Sequence, residues 1–152
     1  MTVALSIPCM ASEPSRSRPV CAGQLAVHYS SAVARKLVIK VTAGKDEPER
    51  CNQAFTVAST AVASGVPVSL WLTGEAAWFG LPGRAEDFSL PHAAPLADLL
   101  ASVLALGTVT ICSQCAARRD ITPQDVIEGV RIAGSATFVA EVVADDAQAL
   151  VY

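Results

Sequence analysis

From Lys36 onward the sequence alternates short β-branched runs with amphipathic segments of helical period, and that alternation limits the folds open to the chain. "KLVIKVT" (36–42) reads as a strand, and "AGKDEPER" turns at Gly44 into a helix with Pro48 in its first turn. That helix shows an apolar face at Ala54, Phe55, Val57, Ala58, Ala61 and Val62, and Gly65 ends it. A second strand covers Val66 to Leu72, followed by an irregular connection. "APLADLLASVLALG" then forms a second amphipathic helix, with Leu96, Leu99, Leu100, Val103 and Leu104 on one side. Thr108 to Ile111 is the third strand. "TPQDVIEG" (122–129) reads as a compact helix with Thr122 as its cap, "VRI" as a fourth strand, "SATFVAEVVAD" as a last helix and "QALVY" as a last strand.

Strands joined through helices imply right-handed crossovers and a mainly parallel sheet covered on both faces, so the class is α/β. For five strands the simplest arrangement is a flavodoxin-like three-layer fold of order 2-1-3-4-5. In that order strands one and three are neighbours. The loops Thr42–Glu47 and Cys112–Arg119 would then meet at the carboxyl edge of the sheet, where ligands collect in folds of this kind.

With 152 residues, 52% hydrophobic and 16% charged, the chain has material for one well-filled core. From Lys36 on there are 8 basic and 13 acidic residues, which leaves no basic footprint for nucleic acid or an anionic membrane surface. No apolar run approaches the roughly 20 residues that cross a bilayer. Residues 1–35 lack helical or strand periodicity and read as a flexible tail ahead of a domain spanning 36–152. Its short apolar start has no basic flank, so a signal peptide is not expected, and a cytoplasmic setting is. Five cysteines, an odd number beside a good core, point the same way, toward reduced thiols.

The chemistry concentrates in "TVTICSQCAARRD", where Cys112 and Cys115 stand in C-x-x-C spacing at a strand end and Arg118 and Arg119 follow. If residues 113–119 begin a helical turn, Cys112 lies at its positive end and the arginines add charge near Cys115; both effects favour a thiolate. The plain alternative is a core cysteine at the end of a buried strand, since free cysteine is among the most buried residues. A thioredoxin-like motif would follow an early strand and an aromatic residue rather than "VTI". A structural zinc needs four ligands, and Cys51, His28 and His92 would have to converge on the single pair, so no metal is expected. "TAGKDEPER" is too short and wrongly ended for a P-loop, and no cofactor is expected.

"KLVIKVTAGKDEPERCNQAFTVASTAVASGVPVSLWLTGEA", "VTICSQCAARRDITPQDVIEGVRI" and "DDAQALVY" together resemble the DsrE/DsrF-like family, including its YchN-like members, over about residues 36–152. The resemblance implies a flavodoxin-like α/β fold and homo-oligomers of trimer or hexamer type. In the sulfur-relay members it also implies a cysteine after strand three that carries sulfur as a persulfide, a position held here by Cys112. Cys115 is absent from several such members. A neighbouring thiol of this kind could attack a persulfide on Cys112 and release sulfide as a disulfide closes.

The first functional reading is therefore a sulfur carrier or sulfurtransferase-like protein with Cys112 and Cys115 as reacting thiols and sulfur donor and acceptor proteins as partners. Arg118 and Arg119 would hold the anionic persulfide, with Gly44 and Lys45 on the facing loop. The alternatives are a non-catalytic oligomeric binding or scaffold protein and a dithiol redox protein. The apolar segment Trp78, Phe79, Leu81 and Pro82 is expected at a subunit interface rather than as a lid, and His92 as a surface or capping residue rather than a base.

Overall fold

The computed structural model describes residues 35–152. Five strands, β1 (Lys36–Val41), β2 (Val68–Leu72), β3 (Thr108–Cys112), β4 (Val130–Ala133) and β5 (Ala147–Val151), form one parallel sheet in the order β4-β3-β2-β1-β5. The helices α1 (Pro48–Ala63), α2 (Leu96–Leu106), α3 (Ser113–Ala117) and α4 (Ser135–Val142) lie in the connections. The α/β class is the one expected.

The strand order is not 2-1-3-4-5. β2 lies between β1 and β3 and is buried along its whole length, which suits a central strand with neighbours on both edges. β5, which has no fully buried residue, takes the edge beside β1. This order also sorts the helices. From β1 to β4 the chain steps across the sheet in one direction, and right-handed crossovers keep α1 and α2 on one face, where they pack together. The return from β4 to β5 runs the other way, so α4 falls on the opposite face.

The two faces differ in chemistry because successive residues of a strand point to opposite sides. Ile39, Val41, Leu70, Leu72, Val109 and Ile111 join Phe55, Leu96, Leu100 and Val103 in the main core. Phe55, Phe79 and Phe88 extend it as a chain of edge-to-face rings with centroids 5.9 and 5.6 Å apart. The other face carries Lys36, Lys40, Ser69, Trp71, Thr110, Arg131 and Cys112. No residue of α4 is fully buried against it. A single carboxylate fastens that helix: Glu141 takes Arg131 at 2.6 Å, Lys36 at 3.4 Å and the Trp71 indole N–H at 3.3 Å. Trp71 also meets Phe138 edge-to-face at 5.3 Å.

Two local expectations are corrected. Residues 122–129 form turns rather than a helix: the Asp125 carboxylate accepts from both the amide and the hydroxyl of Thr122, at 2.8 and 2.6 Å, and Gly129 at φ +88° closes the segment. Thr122 is thus the capped group, not the cap. The segment after β2 is not the exposed apolar stretch it resembles. Gly74–Gly80 is a 3₁₀ helix that places Phe79 in the core at 1% exposure, leaving Trp78 and Leu81 half-buried and Pro82 exposed. Gly80 suits this close packing, because a Cβ there would press on the Ile111 side chain. The expected tail lies outside the described residues but for Arg35, as do Cys9 and Cys21.

Candidate functional site

β3 ends at Cys112, whose backbone is still extended (φ −64°, ψ 126°), and α3 starts at the next residue. Cys112 therefore stands at the N-cap position, where a side-chain acceptor normally meets the second and third amides of a helix. A sulfur is larger and more diffuse than a capping oxygen, and no formed side-chain cap results. The environment of the half-buried Cys112 thiol still favours the charged form. Partial burial pushes its pKa up, but the amides of Cys115 and Gln114, the Cys115 thiol and the charge of Lys40 together outweigh it and hold it below the ordinary value.

Cys115 is buried and faces the loop after β2, where the Gly74 amide donates to its sulfur at 3.2 Å. Gly74 has φ +53°, and a Cβ there would stand 2.6 Å from the Thr42 carbonyl oxygen, so only glycine brings this amide to the sulfur without strain. Next to it Glu75 pairs with Arg119 at 2.6 Å, and Arg119 also donates to the Cys115 carbonyl at 3.2 Å. The Arg119 guanidinium lies 5.8 Å from the Trp78 ring centre. Arg118, at the end of α3, is exposed.

The loops after β1 and β3 thus do not meet directly. The loop after β2 lies between them and contacts both. On the β1 side, Gly44 is buried against Glu75, closely enough that a Cβ would be 2.8 Å from the Cβ of Glu75, while its amide binds Asp46 at 2.7 Å. Lys45 lines a pocket with Glu75, Trp78, Phe79 and Arg84. Cys115, Arg119, Gly44 and Lys45 are therefore gathered around Gly74 and Glu75, two residues the sequence reading passed over as part of an irregular connection, and Cys112 joins them through Cys115.

Lys40 was also missed. It shares the Cys112 face of the sheet, since Lys40 pairs with Trp71, Trp71 with Thr110, and Cys112 lies two residues beyond Thr110. Its ammonium is 5.2 Å from the Phe138 ring centre. Both oxygens of Glu141 are already engaged by other groups, and among the described residues Lys40 makes no ion pair. The only hint in the sequence is a lysine in register with Lys36 on one face of β1, a pattern that equally describes a solvated face.

Cys51 differs from both cysteines. It is fully buried in α1, and burial, reinforced by the Asp46 charge, pushes its thiol up to about 12. It is core. His92 sits at φ +61° in the loop before α2, beside Glu49, Asn52 and Thr56 of α1. Among the described residues no three His, Cys, Asp or Glu side chains gather so as to hold a metal ion, and no helix is long and apolar enough to cross a membrane.

The chain is similar to the YchN protein from E. coli, with a TM-score of 0.64 and 19% identity over 78% of this chain and 98% of that one. It is also similar to MTH1491, a protein of unknown function from Methanobacterium thermoautotrophicum, with a TM-score of 0.58 and 11% identity over 78% and 99% of the two chains. Identities this low speak for the fold alone. No curated protein matches. The model of the DsrE/DsrF-like family matches residues 35–148, and with the strand-end cysteine and its loops in place the chain belongs to that family.

Proposed function

We propose that the protein is a sulfur carrier that holds sulfane sulfur as a persulfide on Cys112. The observation that carries this reading is the setting of the Cys112 sulfur, at the start of α3 with two amides, a thiol and a lysine favouring its thiolate. The thiolate attacks the outer sulfur of a donor persulfide. The donor's S–S bond breaks, the donor leaves as a thiolate, and Cys112 carries –S–S⁻. An acceptor thiolate then attacks that outer sulfur and regenerates the Cys112 thiolate, with no net oxidation.

Cys115 offers a second outcome. Once deprotonated, it attacks the inner sulfur on Cys112, forming a Cys112–Cys115 disulfide and expelling hydrosulfide; the two cysteines are oxidised and the sulfane sulfur is reduced. A low-molecular-weight thiol would have to reopen the pair. Burial of Cys115 beneath Gly74 supports assigning it the resolving role. Lys40 is the counter-cation of the charged sulfur in this account, and Arg119, with Glu75 as its partner, braces the loop. Incubation with polysulfide, followed by mass spectrometry of the peptide containing Cys112, tests the reading. It predicts a gain of about 32 Da per sulfur, or a loss of about 2 Da where Cys115 has closed the disulfide, either one reversed by a thiol reductant, and unchanged mass would contradict it.

We also propose that the protein self-associates. The large exposed apolar side chains include Val139 and Val143 of α4 and Val151 of β5, 52%, 69% and 67% accessible, rather than the Trp78–Leu81 segment. Light scattering at micromolar concentration should give a multiple of the chain mass; a monomer would overturn this.

A further inference from the structure

Beside the thiol pair, yet lined by neither cysteine, is a pocket of about 150 Å3 walled by Lys45, Glu75, Trp78, Phe79 and Arg84. Its position is built in. Gly44 backs directly onto Glu75, which sets Lys45 at the pocket wall, and Arg119 holds Glu75 through one carboxylate oxygen at 2.6 Å. Arg84 lies 5.2 Å from the Trp78 ring centre.

Charge, size and surface each narrow what could bind. Lys45 and Arg84 make no ion pair among the described residues, whereas Glu75 is already paired. Two cations against one carboxylate leave the lining with a single excess positive charge. The Trp78 ring already attracts the guanidiniums of Arg84 and Arg119, so a cationic ligand would enter against three positive groups. The volume is room for roughly five waters and falls below the about 300 Å3 at which pockets for drug-sized ligands begin, which excludes a nucleotide. Trp78 and Phe79 supply an apolar wall that a bare inorganic anion would leave unused.

We propose that this pocket binds a small organic monocarboxylate, its carboxylate between Lys45 and Arg84 and its apolar body against Trp78 and Phe79. The pocket wall is continuous with the loop whose Gly74 amide holds the Cys115 sulfur, so an occupant sits next to the dithiol without touching it. Carboxylate binding here is independent of persulfide chemistry at Cys112.

The chain has two tryptophans, and Trp71, buried on the opposite face of the sheet, is an internal control. Benzoate and pentanoate are titrated into the 15N-labelled full chain against benzamide, pentanamide and inorganic phosphate. The Trp78 indole N–H signal should move saturably with the two carboxylates and not with the amides, while the Trp71 signal stays in place. Lys45→Met and Arg84→Met should each weaken binding by about tenfold or more, and Lys45→Arg should restore most of it. An unchanged Trp71 signal shows that each variant is folded. The proposal is overturned if no carboxylate gives a saturable shift at millimolar concentration, if the amides bind equally well, or if phosphate binds as tightly as the carboxylates.

Discussion

The amide of Gly74 points at the sulfur of Cys115 across 3.2 Å, tying the loop after the central strand to the second cysteine of the pair. Gly74 can do this because it adopts φ +53° with its Cα close to the Thr42 carbonyl. Gly74→Ala should therefore destabilise the protein by about 1–3 kcal/mol, the usual cost of a strained backbone position. Urea unfolding of the two proteins measures it, and equal midpoints would show that the loop relaxes freely.

Phe79, at 1% exposure, is the middle ring of the chain and links Phe55 of α1 to Phe88. Truncation to Ala should cost about 3–5 kcal/mol, as for other buried aromatics. If Phe79 were instead an interface residue on a stable subunit, the variant would lose association and keep its denaturation midpoint at low protein concentration.

The fold class was legible from the alternation of β-branched runs and amphipathic segments, but the strand order was not. "VPVSLWL" reads equally well as an edge strand with Ser69 and Trp71 outward or as a central strand beneath α4, and only the burial of both faces decides. The site was half legible. C-x-x-C spacing and the strand end pointed to Cys112, whereas Gly74, Glu75 and Lys40 reach it through packing between strands that the sequence does not order. Phe79 was misread because an aromatic in a loop looks exposed until its 3₁₀ turn is seen to fold it inward.

Glu141 makes the attachment of α4 sensitive to acid. Burial raises its pKa, but the hydrogen bond from Trp71, the charge of Lys36 and the Arg131 contact prevail and hold it below its ordinary 4.5; the buried Ser69 hydroxyl, without a partner of good geometry, is the less defined contributor. A carboxyl depressed in the folded state stabilises fully above its unfolded value and loses that contribution as pH falls through the folded one. Thermal stability should thus fall below about pH 4.5. Glu141→Gln should remove part of that slope and cost on the order of 1 kcal/mol at neutral pH, since its partners are partly exposed and solvent screens them. An unaltered acid limb would contradict this.

Lys40 supplies charge to Cys112 from across the sheet face. Lys40→Met should raise the apparent pKa of Cys112 alkylation by iodoacetamide and slow the reaction at neutral pH, and Lys40→Arg should recover the wild-type profile. Arg118→Met, a change at an exposed position, should leave the profile in place. The opposite ranking would move the counter-charge from Lys40 to α3.

Persulfide mass spectrometry on wild type, Cys112→Ser and Cys115→Ser separates loading of sulfur at Cys112 from its resolution by Cys115. After polysulfide treatment Cys112→Ser should gain no sulfur at the pair, whereas Cys115→Ser should keep or accumulate the added mass because the disulfide-forming attack is gone. Loading that survives in Cys112→Ser and vanishes in Cys115→Ser would contradict the assignment, and absence of loading in all three proteins would contradict the carrier account itself.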